Sequence, residues 1–211
     1  MKKKKRKLNI KRIAILIIVL IAIAVALALI FGKPKQKKPK EEKKVVDKLE
    51  KYGYVLEEDQ TKYYNELFQS LKEELNKEEV NEETYATLVA QLFTSDFFTL
   101  SNKTTKADIG GVQYVLESYR DDFVKYARDS IYHHVESDIY GDRKQELPTV
   151  TSVSVDSITQ VSHSYLEEED EEAYEINVTI SYEKDLGYQT KAKLYLVHRD
   201  IKLEVVKMEE V

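Results

Sequence analysis

Residues 174–182, YEINVTISY, decide the fold class of this chain because their side chains alternate strictly in polarity. Apolar or aromatic residues occupy every second position from Tyr174 to Tyr182, and Glu, Asn, Thr and Ser fill the positions between them. A period of two is typical of a β-strand with one buried face and one solvated face. The stretch therefore predicts a strand of an antiparallel sheet whose apolar face lies against a second layer.

Neighbouring segments extend this pattern into a sheet. Residues 149–163 precede the strand and change phase at Asp156 and Ser157, which predicts a β-bulge at that point. Two more segments follow it, after the short connections KDLG and HRD: YQTKAKLYLVH and IKLEVVKM. Four strands that are adjacent in sequence and joined by short turns predict an antiparallel meander over residues 149–208.

The residues before the meander repeat their apolar side chains at helical spacing. Asn81 stands before the second of two such stripes, where its side chain can cap the first free backbone amides of a helix. The two stripes, each on one face of an amphipathic helix, are Tyr64, Leu67, Phe68, Leu71 and Leu75, followed by Tyr85, Leu88, Val89, Leu92 and Phe93.

A third helix is predicted after a loop at residues 94–108. It opens at Gly110-Gly111 and ends within residues 136–141. With helices in residues 57–140 and strands after them, we predict an α+β domain in which about three helices pack on the four-stranded antiparallel meander. The apolar stripe of the third helix consists of Val112, Leu116, Tyr119, Phe123, Tyr126 and Ser130.

Residues 13–31, IAILIIVLIAIAVALALIF, form an unbroken run of 19 apolar residues. At 1.5 Å per residue such a helix is roughly 28 Å long, which matches the hydrocarbon core of a bilayer. Because the run is apolar on every face, it predicts a transmembrane helix rather than a buried helix of a soluble domain. A cleaved signal peptide is the alternative, since Ala26-Leu27-Ala28 has the spacing that signal peptidase reads. The run continues past that point through Phe31, which favours an uncleaved anchor.

Basic residues flank both ends of the predicted span. Residues 1–12 carry eight Lys and Arg, and seven lysines follow between Lys33 and Lys44, so charge alone favours a cytoplasmic amino terminus only slightly. A short basic tail, one span and a long polar domain are the order of a signal-anchor protein. We therefore predict a cytoplasmic tail at residues 1–12, a basic Pro/Lys linker at residues 32–46 and an extracytoplasmic domain at residues 47–211 of a cell-membrane protein.

The predicted domain differs in charge from the segment before it. Residues 1–44 carry 15 Lys and Arg against 2 acidic residues, so residues 45–211 carry 18 against 36 and have a net charge of −18. A surface this acidic repels phosphate backbones, so nucleic acid is not an expected partner. The chain has no cysteine, which excludes disulfides, thiol catalysis and cysteine metal ligands.

The side chains that carry most enzyme chemistry are few and poorly spaced. His133 and His134 are adjacent, and none of the histidines, which include His163 and His198, forms the i,i+4 pair of a helical metal site. The acidic run LEEEDEEA, residues 166–173, lacks the glycine and the alternating spacing of a calcium loop and is predicted to be a solvated hairpin tip. We therefore predict no catalytic, cofactor-binding or metal-binding residue and no cofactor.

The order of a membrane anchor, helices and a four-stranded meander resembles the cystatin-like superfamily typified by nuclear transport factor two. Within it the architecture is most similar to that of single-span assembly subunits of type IV secretion and Gram-positive conjugation machines. The resemblance covers residues 47–211 by order of elements, and YGYVLEEDQTKYYNELF and KADIGGVQYV look like recurring blocks of bacterial proteins. It implies helices folded over a curved sheet, a pocket or dimer face, and in many anchored members a non-enzymatic role.

Two functions remain open at this point. The first is a non-catalytic, membrane-anchored scaffold or assembly subunit of a bacterial cell-envelope machine, which binds protein partners or itself. The second is a pocket domain that binds a small ligand, a lipid or a cell-wall polymer, with or without catalysis. The apolar phase of residues 174–182 offers two tyrosine hydroxyls and no carboxylate, which favours the scaffold.

The span and its basic flanks generate a prediction about topology. A tag at the carboxy terminus should be degraded when protease is added to intact protoplasts, because the domain is expected outside the membrane. Protection of the tag would reverse the orientation. A mature amino terminus at Leu29, measured by mass spectrometry, would replace the anchor by a cleaved signal peptide.

Overall fold

The structure, a computed structural model, describes residues 43–211. Its helices are α1 (Lys62–Leu75), α2 (Glu82–Phe98) and α3 (Arg120–Asp129). Its strands are β1 (Val45–Leu49), β2 (Tyr54–Glu57), β3 (Val150–Tyr165), β4 (Glu168–Tyr182), β5 (Lys191–Arg199) and β6 (Lys202–Glu210).

The predicted meander is confirmed. Its strands lie in the order β3-β4-β5-β6, and each is antiparallel to the next. α2 contacts all four strands, and α1 packs on α2 and on β3. The described residues therefore form an α+β domain with three α-helices and a four-stranded antiparallel sheet, in the class that the sequence predicts.

β4 buries the face that its alternation predicts. Ile176, Val178 and Ile180 are each at most 2% exposed and belong to the main core, whereas Ser181 is exposed. These aliphatic side chains meet the helices, so the polar phase of the strand forms the outer face of the sheet.

The predicted bulge in β3 is also confirmed. Val155 pairs with Val178 and Ser157 pairs with Asn177, so Asp156 is the extra residue of the ladder. An extra residue shifts the side-chain phase by one position and increases the local twist of the strand. This explains why the apolar residues of β3 change phase.

α2 is longer than the sequence predicted. Asn81 caps its first turn by accepting a hydrogen bond from the Thr84 amide, as expected. The helix then continues to Phe98, so the loop predicted at residues 94–108 is wrong over its first five residues. Residues 94–98 are all buried, and a helix buried on every face loses the one-sided periodicity by which amphipathic helices are recognised.

The third predicted helix is wrong in both its start and its end. Gly111 has φ +77°, a left-handed conformation, and the chain then makes two short 3₁₀ turns before α3 begins at Arg120. Between those turns Val115 pairs in parallel with Val205 of β6. The helix starts late because this segment lies along the sheet edge, and it ends at Asp129, rather than within residues 136–141, where the chain enters a series of turns.

The β1–β2 hairpin has no counterpart in the sequence-based prediction. β1 begins at Val45, inside the segment predicted as a linker at residues 32–46, and pairs antiparallel with β2. Val45 and Val46 are exposed, whereas Tyr54 and Leu56 of β2 are buried. β1 thus contributes only Leu49 to the core, and so short an element carries little periodicity in its sequence.

A second, smaller apolar cluster lies on the other face of the sheet. Ala173, Val197, Tyr165 and Leu116 form it, all 6% exposed or less. Leu116 reaches this face because its amide donates to the Val205 carbonyl oxygen at 3.0 Å, which holds the 3₁₀ segment along β6. The tip of the β3–β4 hairpin and the 3₁₀ segment thus cover the outer face at one end of the sheet.

None of the helices formed by residues 43–211 is long and apolar enough to cross a membrane. The predicted transmembrane helix at residues 13–31 lies outside the described residues, as do the predicted tail at residues 1–12 and most of the linker.

The division of β4 into two faces generates a stability prediction. Ile176→Asp should destabilise the domain by several kcal/mol, because it places an unpaired carboxylate among apolar side chains. Ser181→Asp, on the solvated phase of the same strand, should change the free energy of unfolding by less than about 0.5 kcal/mol. Urea unfolding followed by circular dichroism measures both, and equal losses would contradict the two-layer arrangement.

Candidate functional site

The four histidines do not form one site: two are adjacent in sequence, and the other two lie elsewhere in the domain. His133 and His134 are both exposed, and their ring centroids are 4.8 Å apart. His163 stacks on Tyr195 on the outer face of the sheet. His198 joins β5 to β4, since its Nδ1 lies 2.9 Å from an oxygen of Asp170 and its backbone amide donates to the same oxygen at 2.7 Å.

The acidic run at residues 166–173 forms less of a loop than predicted. Leu166 and Glu167 alone make the turn, and the following residues already belong to β4. Glu168 pairs with Arg199 through both carboxylate oxygens, at 3.0 and 2.9 Å. No group of three or more acidic or histidine side chains in residues 43–211 could hold a metal ion.

A buried ion pair closes the carboxyl end of α2. Lys103 Nζ lies 2.6 Å from Asp96 Oδ1, and both residues are less than 10% exposed. The other carboxylate oxygen of Asp96 accepts the Gly111 amide at 2.7 Å, and Gln60 donates to Oδ1 at 3.3 Å. A side chain at Gly110 would place its Cβ 2.2 Å from the Asp96 carbonyl oxygen, so the two glycines allow the loop to pass directly over α2.

The surroundings of Asp96 determine its charge. Burial alone would raise the pKa of this carboxyl, but the Lys103 ammonium and the donors from Gly111 and Gln60 stabilise the charged form, so the pKa lies below its usual value. A cavity of about 310 Å³ opens beside the pair. Glu57 also lines this cavity, and burial raises its pKa. The sequence-based prediction missed the pair, although an aspartate within the apolar run LFTSDFF was a signal for it.

Buried tyrosine hydroxyls form hydrogen bonds near the start of β6. The Tyr54 and Tyr85 hydroxyl oxygens are 2.8 Å apart, and they bond to the carbonyl oxygen and the amide of Leu203. Tyr64 and Tyr114 form a second such pair at 2.7 Å. Burial raises the pKa of Tyr54 far above its usual value and that of Tyr85 to about 12, so both hydroxyls stay protonated at neutral pH.

A cleft of about 720 Å³ opens where three hairpin turns and the 3₁₀ segment meet. Lys51 and Gly53 come from the β1–β2 turn, Leu166 comes from the β3–β4 turn, and residues 199–202 span the β5–β6 turn. The two 3₁₀ turns and the first residue of α3 close the fourth side. This volume falls in the range of ordinary small-ligand sites.

The floor of the cleft contains a buried carboxylate between two cations. Glu204 is 5% exposed, and its Oε1 lies 3.5 Å from both Arg120 Nη2 and Lys202 Nζ. The Lys202 ammonium also lies 4.6 Å from the centroid of the Tyr54 ring, and burial lowers the pKa of this lysine. Glu204 belongs to the outer phase of β6, and it is buried because the 3₁₀ segment covers that phase. The alternation in residues 174–182 gave no sign of this carboxylate, because it lies on the outer phase of a different strand.

β3 presents an extended edge. It is the first strand of the sheet, and no second strand in residues 43–211 pairs with it on the side away from β4. At Val153 that side is occupied, because the Tyr63 hydroxyl accepts the amide at 2.9 Å and Gln91 donates to the carbonyl oxygen at 2.9 Å. Beyond Val153 the strand continues to Tyr165 without such caps among the described side chains.

Comparisons of this chain with protein-family models, with curated proteins and with solved structures found no match. The roles of the ion pair, the cleft and the strand edge therefore follow from their own chemistry.

The buried pair generates a stability prediction with a defined pH dependence. Lys103→Met should cost about 3–5 kcal/mol at pH 7, because it leaves a buried carboxylate without its cation. In the unchanged chain the folded pKa of Asp96 lies below the unfolded value of 3.8, so its contribution is present above that pH and is lost as pH falls through the folded pKa. In the variant the carboxyl should protonate at higher pH, so the difference from the unchanged chain should narrow between pH 7 and pH 4.

Two further variants control this experiment. Lys106→Met removes an exposed lysine of the same loop and should have little effect on stability. Asp96→Asn combined with Lys103→Met removes both buried charges and should recover part of the loss. Denaturant midpoints across the pH series measure the stability of the four proteins. If Lys103→Met destabilises the domain equally at every pH, the assignment of Asp96 as the buried charge that Lys103 compensates is contradicted.

Proposed function

We propose that this chain is a single-pass, membrane-anchored, extracytoplasmic assembly subunit of a bacterial cell-envelope machine, of the secretion or conjugation kind, with a cystatin-like domain. It acts by binding other proteins and not by catalysing a reaction. The apolar run at residues 13–31 supports the anchor, and the helices laid on a four-stranded meander are consistent with the resemblance. The β3 edge is the observation that carries the proposal.

An uncovered edge strand can bind another strand through its backbone. Pairing of an extended peptide to a sheet edge gives affinity through main-chain hydrogen bonds. Soluble proteins usually protect long edges with charged residues, proline or β-bulges. From Ser157 to Tyr165, β3 has the sequence SITQVSHSY, which contains no Lys, Arg, Asp, Glu, Pro or Gly. The register with β4 is irregular at Asp156 and at Ser162, but between Ser157 and Tyr165 no charged residue, proline or glycine blocks the approach of a partner strand.

The charge of the domain indicates which kind of strand it pairs with. Residues 45–211 have a net charge of −18, and β4, which lies beside β3, begins with the exposed residues Glu168 and Glu169. A second copy of the domain would bring an equal negative charge to the interface, whereas a strand flanked by Lys or Arg would be attracted to it. We therefore assign the edge to an extended, lysine- or arginine-bearing segment of another envelope protein.

A membrane anchor would strengthen such a contact without adding interface area. Two domains held at one membrane surface meet at a raised effective concentration, so a modest backbone pairing suffices for assembly. This also means that the domain can bind weakly in solution and still be bound to its partner in the cell.

Photo-crosslinking in the membrane tests the proposal. A benzophenone amino acid at Gln160, exposed on the β3 edge, should trap another envelope protein, and the same group at Glu78, exposed in the α1–α2 connection, should not. Thr159→Lys should reduce the yield at Gln160 by about tenfold, because a lysine on the edge repels a basic strand and blocks pairing. Thr159→Glu, of similar size, should leave the yield nearly unchanged.

The outcomes separate the possible partners. Mass spectrometry of a trapped protein identifies whether its crosslinked segment is extended and basic. A Gln160 adduct that contains only a second copy of this chain would replace the basic partner by self-association. Equal yields at Gln160 and Glu78, or no adduct at any β3 position, would overturn the role of the edge.

A further inference from the structure

The cleft between the three hairpin turns and the 3₁₀ segment combines an apolar rim with a charged floor. We propose that it binds a carboxylate joined directly to an apolar group, as found at the carboxy terminus of a peptide that ends in leucine or in a free amphipathic acid. This inference goes beyond the assembly role, because the cleft lies at the turns of the sheet and not along the β3 edge.

Leu166 supplies the first argument, since it occupies a backbone position that favours glycine. Its φ is +52°, in the left-handed region, and its side chain is 57% exposed. Glycine adopts this conformation at lower cost than leucine, and an exposed leucine contributes little to the stability of the core. A large apolar residue that serves neither the turn nor the core indicates a role in binding.

Ile201 extends the apolar rim. It lies in the β5–β6 turn, directly after Asp200, which also has a left-handed φ of +54°, and it is 49% exposed. Leu166 and Ile201 thus come from two different turns and line the same cleft, together with the buried Leu116. An apolar ligand group between them would remove this exposed surface from water.

Arg120 and Lys202 supply the second argument, because they share one carboxylate. Each lies 3.5 Å from Glu204 Oε1, which is longer than the roughly 2.7–2.9 Å of a charge-assisted hydrogen bond. Two cations thus face one buried carboxylate at the floor, and neither makes a short hydrogen bond to it. A ligand carboxylate could accept hydrogen bonds from both cations.

The charge of the whole lining selects a monoanion. Glu168 already pairs with Arg199, so a phosphate or another polyanion would bring more negative charge than the remaining cations can compensate, whereas a single carboxylate adds only one. The lining contains four cations and three anions, namely Lys51, Arg120, Arg199 and Lys202 against Glu117, Asp200 and Glu204.

Calorimetric titration of the full-length chain in detergent tests the site with matched probes. N-acetyl-Ala-Ala-Leu as the free acid should bind saturably, and the same peptide with a carboxy-terminal amide should bind at least about tenfold more weakly, because it lacks the charge. Octanoate, titrated separately, distinguishes a free amphipathic acid from a peptide terminus as the source of the carboxylate.

Three variants separate binding from folding. Leu166→Gly should weaken binding of the peptide acid at least about fivefold while leaving the melting temperature equal or higher, because glycine suits the left-handed turn. Glu204→Gln should tighten binding at least about threefold, because it removes the anion that competes for both cations. Tyr126→Ser removes an exposed aromatic side chain on α3, outside the cleft, and should change neither quantity.

The results decide the proposal in either direction. Binding of the peptide acid or of octanoate, weakened by Leu166→Gly and tightened by Glu204→Gln, supports it. Equal binding of acid and amide, no binding of either carboxylate at millimolar concentration, or unchanged affinity in both cleft variants would overturn it.

Discussion

The carboxylate of Asp96 holds the loop that follows α2 against the end of that helix. It is buried at the end of α2, it faces the Lys103 ammonium, and it accepts the Gly111 amide. A charge in this position requires partners on several sides, because an unpaired buried carboxylate costs several kcal/mol. The loop from Lys103 to Gly111 is therefore constrained to fold back over the helix, and Gly110 and Gly111 are the residues that make the close approach possible.

This constraint determines where the later elements lie. The left-handed turn at Gly111 directs the chain to Val115, which pairs with Val205 on β6, and to Leu116, which covers the outer face of the sheet. The same segment buries Glu204 and brings Arg120 next to it. The cleft and its charged floor thus depend on a loop geometry that is stabilised by an aspartate 15 residues before Gly111.

Local patterns predicted the parts of the fold that depend on local chemistry. The alternation in β4, the phase change at Asp156 and the capping residue Asn81 each act within a few residues, and the structure confirms all three. The ion pair and the cleft depend on contacts between distant segments, such as Arg120 with Glu204, 84 residues apart. Such contacts leave no periodic pattern in the sequence. The left-handed backbone at Leu166 is likewise visible only in three dimensions.

The hydroxyl of Tyr63 has a further consequence for the sheet edge. Because it accepts the hydrogen bond of the Val153 amide, a strand added to β3 cannot continue past that residue. At the other end, β3 itself stops at Tyr165. At about 3.3 Å per residue, the interval from Ser154 to Tyr165 spans roughly 40 Å. Tyr63 would therefore limit the length of any segment added to this edge and define the point from which its register is counted. Length as well as charge would then distinguish the sequences that fit.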